Sequence, residues 1–146
     1  MATSAGLGWY EVSNWARPGG ECRHNLGYWT DQDWWGAGPG AHGHIAGRRW
    51  WNTKHPVAYA QCVDEGRLPV AGEESVDEAG RELERVMLGI RLVQGMHREG
   101  LPAAEVSDLL DMGLIEEQVK DPRGTRVVLT RQGRLVADAV VRRLTP

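Results

Sequence analysis

The sequence predicts an α+β fold in two parts, and three observations support this prediction. The first part holds all seven tryptophans, between Trp9 and Trp51, and ten glycines, so aromatic runs alternate with turns. The second part, from His55 onward, carries apolar residues at the three- and four-residue spacing of amphipathic helices. A pair of short strands lies near its end. We therefore expect strands and loops from the end of a larger α/β domain in residues 1–54, and a mostly helical domain in residues 55–146.

Short strands separated by turns fill the first part. Residues 8–13 combine aromatic and β-branched side chains after two glycines, which predicts a strand. Residues 25–29 could form a single helical turn, and residues 34–37 predict a second strand. A hairpin turned at Gly47 is predicted just before residue 52. A stretch this short, without an amphipathic helix, cannot bury much core alone.

Helices dominate the second part. Residues 55–65 predict a helix that Gly66 ends. Ser75 and Glu78 have the spacing of a capping box, so we expect a helix from there to about Val93.

The last third has the layout helix, hairpin, helix. Its elements are a helix over residues 102–112 ended by Gly113, strands over 114–119 and 125–129 joined through 121–124, and a final helix from the Thr130 cap to Leu144. Leu135 and Val136 are expected to face inward from that final helix. Together with the preceding helix, this order is that of a winged-helix-like module.

Composition excludes several classes of protein. A net charge of −3 gives no general electrostatic attraction to nucleic acid or anionic membranes. No apolar run approaches the roughly 20 residues of a membrane-spanning helix, and the N-terminal residues lack the pattern of a signal peptide. Two cysteines are too few for a disulfide framework. We expect a cytoplasmic protein with reduced thiols.

Residues 21–44 concentrate the side chains that could carry chemistry. His24 stands near Asn25, Tyr28 and Trp29, and an imidazole beside aromatic rings suits either axial ligation of haem iron or a plain structural role. The glycine-rich segment 36–43 suits either close approach to a ligand or a tight turn.

Three other kinds of site have weaker support. Zinc could draw on a cysteine and several histidines, but their spacing matches no known zinc signature. The candidates are Cys22, His24, His42, His44 and His55. Basic side chains around the predicted wing suit a nucleic-acid contact or a solvated helix face. They are Lys120, Arg123, Arg126, Arg131, Arg134, Arg142 and Arg143. No catalytic triad or carboxylate pair is evident, so we assign no catalytic residue.

Four segments together carry a resemblance that covers the chain from about residue 5. YEVSNWARPGGECRHNLGYW, WWGAGPGAHG, RRWWNTKHP and LTRQGRLVADAVVRRL closely resemble the oxygen-independent coproporphyrinogen III oxidase-like radical SAM proteins. HNLGYW, at residues 24–29, is similar to the H-N-x-x-Y-W motif of the haem-chaperone branch of that family.

The resemblance implies a fold and a set of site residues. Residues 1–54 would be the last part of a partial α/β barrel, and residues 55–146 the family's C-terminal domain with its winged-helix-like end. His24 would ligate haem iron, and Asn25, Tyr28 and Trp29 would frame it. The residues implied to lie near S-adenosylmethionine are Gly38, Ala41 and His42.

One departure from the family is large. The cysteine triplet C-x-x-x-C-x-x-C does not occur here, so this chain alone is not expected to assemble the [4Fe–4S] cluster or to cleave S-adenosylmethionine. It looks like a C-terminal fragment. We expect part of a haem chaperone that passes haem to an accepting protein and that self-associates. The alternatives are part of an oxygen-independent coproporphyrinogen III oxidase, and a non-enzymatic winged-helix interaction module.

Overall fold

The computed structural model describes residues 5–121 and 124–145, without the side chains of residues 120 and 121. Throughout these residues it is a mixed α/β structure whose sheets are antiparallel, which confirms the α+β class at this level. The described chain divides into two compact units. One runs up to Thr30 and resumes at Glu82, and the other is Asp31–Arg81. The domain boundary expected after residue 54 stays a prediction.

Helices are interspersed with single strands and strand pairs along the described chain. In order they are β1 (Gly8–Glu11), β2 (Asn14–Ala16), α1 (Arg23–Trp29), β3 (His42–Ile45), β4 (Arg48–Asn52), α2 (Pro56–Asp64), β5 (Val70–Ser75), α3 (Glu78–Gly89), β6 (Met96–His97), α4 (Ala103–Asp111), β7 (Ile115–Asp121), β8 (Gly124–Leu129), α5 (Arg131–Leu135) and α6 (Ala137–Leu144). The division between the units falls inside α3.

The first unit is built around one hydrophobic core. Its three-stranded sheet has the order β6-β8-β7, and the remaining core side chains come from α3, α4, α6 and Ile90, which follows α3. The core residues are Val86, Ile90, Met96, Val106, Leu109, Ile115, Val127, Leu129, Ala137, Val140, Val141 and Leu144. Ile90, Val106 and Leu109 are completely buried, so the helices close over the sheet without leaving these side chains in contact with water.

The junction between β8 and α5 explains the Leu-Thr-x-x-Gly pattern near the end of the chain. The Thr130 hydroxyl accepts a hydrogen bond from the Gly133 amide (3.1 Å) and donates to the Gly113 carbonyl (2.7 Å). It thereby caps α5 and ties it to the end of α4. Gly133 is buried so close to the Leu114 carbonyl that an added Cβ would lie 1.8 Å from its oxygen. This position therefore has no room for a side chain.

The second unit contains a three-stranded sheet, β3-β4-β5, and α2. Each of two neighbouring tryptophans of β4 lies against a glycine directly opposite it. Trp50 faces Gly43 on β3, and Trp51 faces Gly72 on β5. A Cβ at either glycine would come within 2.3 Å of the indole. The indole rings therefore pack over two glycines, a residue type with a low propensity for β-strands.

Most elements predicted from turn and cap residues are confirmed. The β3–β4 hairpin turns at Ala46 and Gly47. Helix α2 ends at Gly66, where the Gly66 amide donates to the Val63 carbonyl (2.9 Å) and the Arg67 amide to the Cys62 carbonyl (2.8 Å). The same arrangement ends α4 at Gly113. The predicted turn over 121–124 lies partly outside the described residues.

Three predictions about the elements before α4 are corrected. Residues 34–37 are not a strand, because only Trp34 pairs, in a single bridge with His44. The capping box is wrong, because Ser75 ends β5 and the Asp77 carboxylate accepts from the Gly80 amide (2.8 Å) instead. Helix α3 ends at Gly89 rather than near Val93. In addition, strands β2, β5 and β6 were not predicted.

Helices at both ends of the first unit differ from expectation. Helix α1 is longer than a single turn, with seven residues. The final helix is broken at Val136 into α5 and α6. Leu135 is 83% exposed and Val136 42% exposed, so their predicted inward orientation is wrong. The break lets α5 follow the Thr130 cap while α6 turns its apolar face into the core.

The close approach at Gly133 gives a stability test. Gly133→Ala should lower the free energy of unfolding by about 1–3 kcal/mol, because the added methyl group overlaps a carbonyl that is held in place. Gly89→Ala is the matched control. Its Cβ would meet Met96 at an ordinary 3.5 Å, at the end of a helix where alanine is favoured. Urea denaturation of both variants measures the difference, and equal midpoints would contradict this packing.

Candidate functional site

The segment HNLGYW forms most of α1, which lies at the surface of the first unit. Helix α1 begins with the Leu26 amide donating to the Cys22 carbonyl (2.9 Å). At its end, the Leu26 carbonyl accepts from both the Thr30 amide (2.9 Å) and the Thr30 hydroxyl (2.8 Å). None of the residues of α1 is buried. The helix is therefore closed locally and leaves the side chains of Arg23, His24 and Tyr28 exposed.

His24 and Tyr28 form one face of α1. They are four residues apart, so their side chains meet on the same side of the helix. The phenol oxygen Oη of Tyr28 lies 3.1 Å from Nε2 of His24, and the two rings meet edge to face with centroids 4.9 Å apart. Both side chains are exposed. The structure thus presents an accessible imidazole with a defined orientation.

Asn25 and Trp29 lie on the neighbouring face of α1, again four residues apart, and both are half-buried. Among the described residues, the Oδ1 atom of Asn25 is buried and has no hydrogen-bond partner. An unpaired buried amide oxygen is energetically unfavourable. With His24 and Tyr28, all four residues of the predicted haem motif lie on this one short helix.

A groove of about 410 Å³ lies on a different side of α1. Leu26, two residues after His24 and so roughly opposite it on the helix, lines this groove with Trp9, Tyr10 and Val93. The His24 face and the groove are therefore separate surfaces. A flat ligand held by His24 would not occupy this groove.

Three basic side chains of the final third contact other groups of the first unit. The guanidinium of Arg134 stacks over Trp9 at 4.3 Å from the ring centroid, and burial, together with nearby Arg131, lowers the pKa of Arg134. Arg126 donates to the Gly95 carbonyl (2.7 Å), and Arg143 pairs with Glu105 (2.6 Å). Of the basic residues considered in the sequence, Arg123 and the side chain of Lys120 lie outside the described part.

The glycine-rich segment 36–43, in the second unit, is held from beneath by Asn52. Its Nδ2 atom donates to the carbonyls of Gly36 and Gly38, both at 3.0 Å. The backbone amide of Asn52 donates to the Ala41 carbonyl (2.9 Å), and the backbone amide of Gly38 donates to the hydroxyl of Tyr59 (3.1 Å). These hydrogen bonds, with one from the Gly40 amide to the Thr53 carbonyl (3.1 Å), fix the loop, and Gly38 and Ala41 both take part.

The two neighbouring histidines of the second unit differ in environment. His42 is exposed, with its ring centroid 6.2 Å from that of Trp51. His44 is buried between Trp34 and the segment before it, with Nδ1 3.4 Å from the Gln32 carbonyl. His42 is therefore accessible to a ligand, whereas His44 is a core residue.

Asn52 and Tyr59 were not identified from the sequence. Their partners lie 14 to 21 residues away, and no local pattern marks them. In the first unit, Glu11 was also not identified from the sequence. It is completely buried, and its carboxylate accepts from the amide and hydroxyl of Ser13, both at 3.2 Å.

Neither a metal cluster nor a membrane helix occurs in the part of the chain that the structure describes. No three or more His, Cys, Asp or Glu side chains there are grouped to hold a metal ion. Cys22 is exposed, Cys62 is half-buried, and both are free thiols. None of the described helices is long and apolar enough to cross a bilayer.

Comparisons with known proteins agree on one family. No protein-family model matches the chain. The heme chaperone HemW of Mycobacterium tuberculosis (strain H37Rv) is 54% identical over 145 residues, which are 97% of this chain and 36% of the relative. The heme chaperone HemW of Bacillus subtilis is 32% identical over 146 residues, 92% of this chain and 37% of the relative. The chain thus spans about a third of the length of these relatives.

The solved structure of coproporphyrinogen III oxidase (HemN) from Escherichia coli, a radical SAM enzyme, matches this one with a TM-score of 0.67. The match covers 98% of this chain and 38% of that chain at 18% identity, so it concerns the fold alone. The fold of this chain is similar to that of part of this enzyme. With the sequence matches, the chain belongs to the coproporphyrinogen III oxidase-like radical SAM family, in the branch of the heme chaperone HemW proteins.

Asn52 gives a test of how the glycine-rich loop is held. Asn52→Ala should lower the free energy of unfolding by about 2–3 kcal/mol, because one buried and one partly buried carbonyl lose their donor. It should also make the loop at residues 36–43 more susceptible to proteolysis. Gln61→Ala, at an exposed position of α2, is the control. Unchanged stability and cleavage in Asn52→Ala would contradict this role.

Proposed function

We propose that this chain is the haem-binding part of a haem chaperone, and that His24 ligates the iron of haem that is later passed to an accepting protein. The observation that carries the proposal is the accessible His24 imidazole of α1, within a segment that is similar to the haem motif of the family. The relatives named above are described as heme chaperones.

The residues of α1 suit a haem ligand chemically. Imidazole is a common axial ligand of haem iron, and aromatic side chains favour a flat macrocycle. His24 supplies the nitrogen, while Tyr28 and Trp29 supply aromatic surface on adjoining faces of the helix. Among the described residues, the buried Oδ1 atom of Asn25 has no hydrogen-bond partner.

An exposed site is also consistent with a carrier rather than a resident cofactor. A haem protein that retains its haem buries it in a closed apolar pocket. Here the imidazole projects from a surface helix without a buried residue. Haem is the cargo in this proposal, so it must both reach and leave the ligand. A site at the surface favours both steps.

Further features of the family belong to the same proposal. We propose that residues 1–54 form the end of a partial barrel, that the chain ends in a winged-helix-like element, and that Gly38, Ala41 and His42 lie near S-adenosylmethionine in longer family members. The [4Fe–4S] cluster usually needs three or four thiolates. With two cysteines, this chain would not assemble it alone. A cytoplasmic location is part of the proposal.

The two alternatives have less support. The alternative that the chain is part of a coproporphyrinogen III oxidase rests on a similarity of fold at 18% identity. The relatives that are 54% and 32% identical are named as chaperones. A winged-helix contact with nucleic acid would need free basic side chains. Arg126, Arg134 and Arg143 instead bind groups within the first unit.

Self-association would follow from the apolar surface of the second unit. Trp35 is 60% exposed and Leu68 67% exposed, and with Trp50 and Val70 they line a groove of about 460 Å³. In contrast, Trp9 and Trp34 are half-buried. We therefore place the associating surface at this groove.

Sedimentation tests the associating surface. The native chain should sediment as a concentration-dependent mixture of monomer and oligomer, and Leu68→Glu should remain monomeric because a carboxylate cannot be buried unpaired in an apolar contact. Val57→Glu, at an exposed apolar position of α2 outside the groove, is the control. A monodisperse monomer for the native chain at high concentration would contradict self-association.

A haemin titration followed by absorbance tests the proposed function. The native chain should bind haemin saturably, and His24→Ala should bind at least about tenfold more weakly, with an altered Soret band, because the axial nitrogen is lost. His55→Ala removes another exposed imidazole, from the start of α2, and should bind like the native chain. Equal binding by the native chain and His24→Ala would contradict the proposal.

A further inference from the structure

The iron-binding nitrogen of His24 is not open in the ligand-free chain. Two nitrogens of an imidazole can bind a metal. Nδ1 adjoins the ring carbon that bears Cβ, so a broad macrocycle bound there would collide with the histidine's own Cβ and with the helix. Nε2 points away from the backbone and is the nitrogen a haem can reach. In this structure, Nε2 is the atom that Tyr28 contacts, at 3.1 Å.

The contact blocks metal binding whichever group carries the proton. If the phenol donates, the lone pair of Nε2 is already used in the hydrogen bond. If Nε2 carries the proton and the phenol accepts it, Nε2 has no lone pair available for iron. In both cases Oη of Tyr28 lies within hydrogen-bonding distance of Nε2, the nitrogen that a metal ion would bind.

We propose that Tyr28 is a displaceable cap on Nε2 of His24. The phenol covers the nitrogen in the empty chain, swings aside when haem arrives, and returns when haem leaves. This inference deepens the proposed function, because it assigns Tyr28 the control of access to the same histidine. Tyr28 thus acts through His24 as a positioning residue.

Two features of the contact suit repeated opening and closing. Both side chains are exposed, so their hydrogen bond is exchanged against water and its net strength is small. They stand four residues apart on one helix, so the phenol can return without any change of the backbone. The cap would therefore compete with haem without preventing its binding, and would limit reactions of the empty imidazole with other metal ions.

Tyr28→Phe is the variant that isolates the cap. It keeps the ring, whose centroid lies 4.9 Å from that of the imidazole, and removes only the oxygen that contacts Nε2. Tyr59→Phe is the matched control, because it removes a phenol oxygen that contacts Gly38 in the second unit. Thermal melting of both variants establishes that each is folded.

The first measurement needs no haem. Diethyl pyrocarbonate acylates accessible neutral imidazoles, and peptide mass spectrometry follows each histidine separately. In Tyr28→Phe the rate at His24 should rise about two- to tenfold, the factor that corresponds to one net hydrogen bond. The rate at exposed His55 should stay constant and serves as the internal reference. Tyr59→Phe should match the native chain at both sites. An unchanged or lower rate at His24 in Tyr28→Phe would overturn the cap.

The second measurement is stopped-flow mixing with haemin. The rate of the phase that is absent in His24→Ala should rise by a similar factor in Tyr28→Phe. A slower phase in Tyr28→Phe would overturn the cap, because it would mean that the phenol helps His24 to bind. If the native chain and His24→Ala behave alike, the proposed function fails, while the acylation rates still decide whether Tyr28 covers His24.

Discussion

The anchoring of the β1–β2 hairpin to the chain after α3 is the interaction on which α1 depends. The Tyr10 carbonyl accepts the Val93 amide at 3.0 Å, and the completely buried Glu11 pairs with Leu92. A helix of seven residues is not stable alone in water. Leu26 lines the same groove as Tyr10, so the anchored hairpin supplies the surface beside which α1 forms. The exposed residues of α1 can then be chosen for binding, because the fold does not need them for its core.

Local chemistry made much of the fold predictable from the sequence. The hairpin at Gly47, the ends of α2 and α4, and the Thr130 cap depend on residues within one turn of each other. Strand β5 could not be predicted, because it is stabilised by the register that places Gly72 opposite Trp51. The final helix is broken because the Thr130 cap and the core require different directions, and only the packed structure contains both requirements.

The candidate site was predictable in its residues and not in its interactions. Resemblance to the family grouped His24, Asn25, Tyr28 and Trp29, and α1 does bring them onto one helix. The hydrogen bond between His24 and Tyr28 follows from their helical spacing. The sequence predicted only a single helical turn over residues 25–29, which does not include His24. Asn52 could not be found at all, since its partners are loop carbonyls whose position depends on the folded sheet. Every residue has a backbone carbonyl, so the sequence does not indicate which distant carbonyl accepts a hydrogen bond from Asn52.

In the proposed haem complex, one nitrogen of His24 on the surface helix α1 binds the iron. Pulsed electron paramagnetic resonance of the ferric haem complex, prepared with ¹⁵N-labelled histidine, detects such a bond. We expect a ¹⁵N coupling from an imidazole bound to the iron, lost in His24→Ala and retained in His55→Ala. A ¹⁵N coupling that persists in His24→Ala, or none in the native complex, would contradict it.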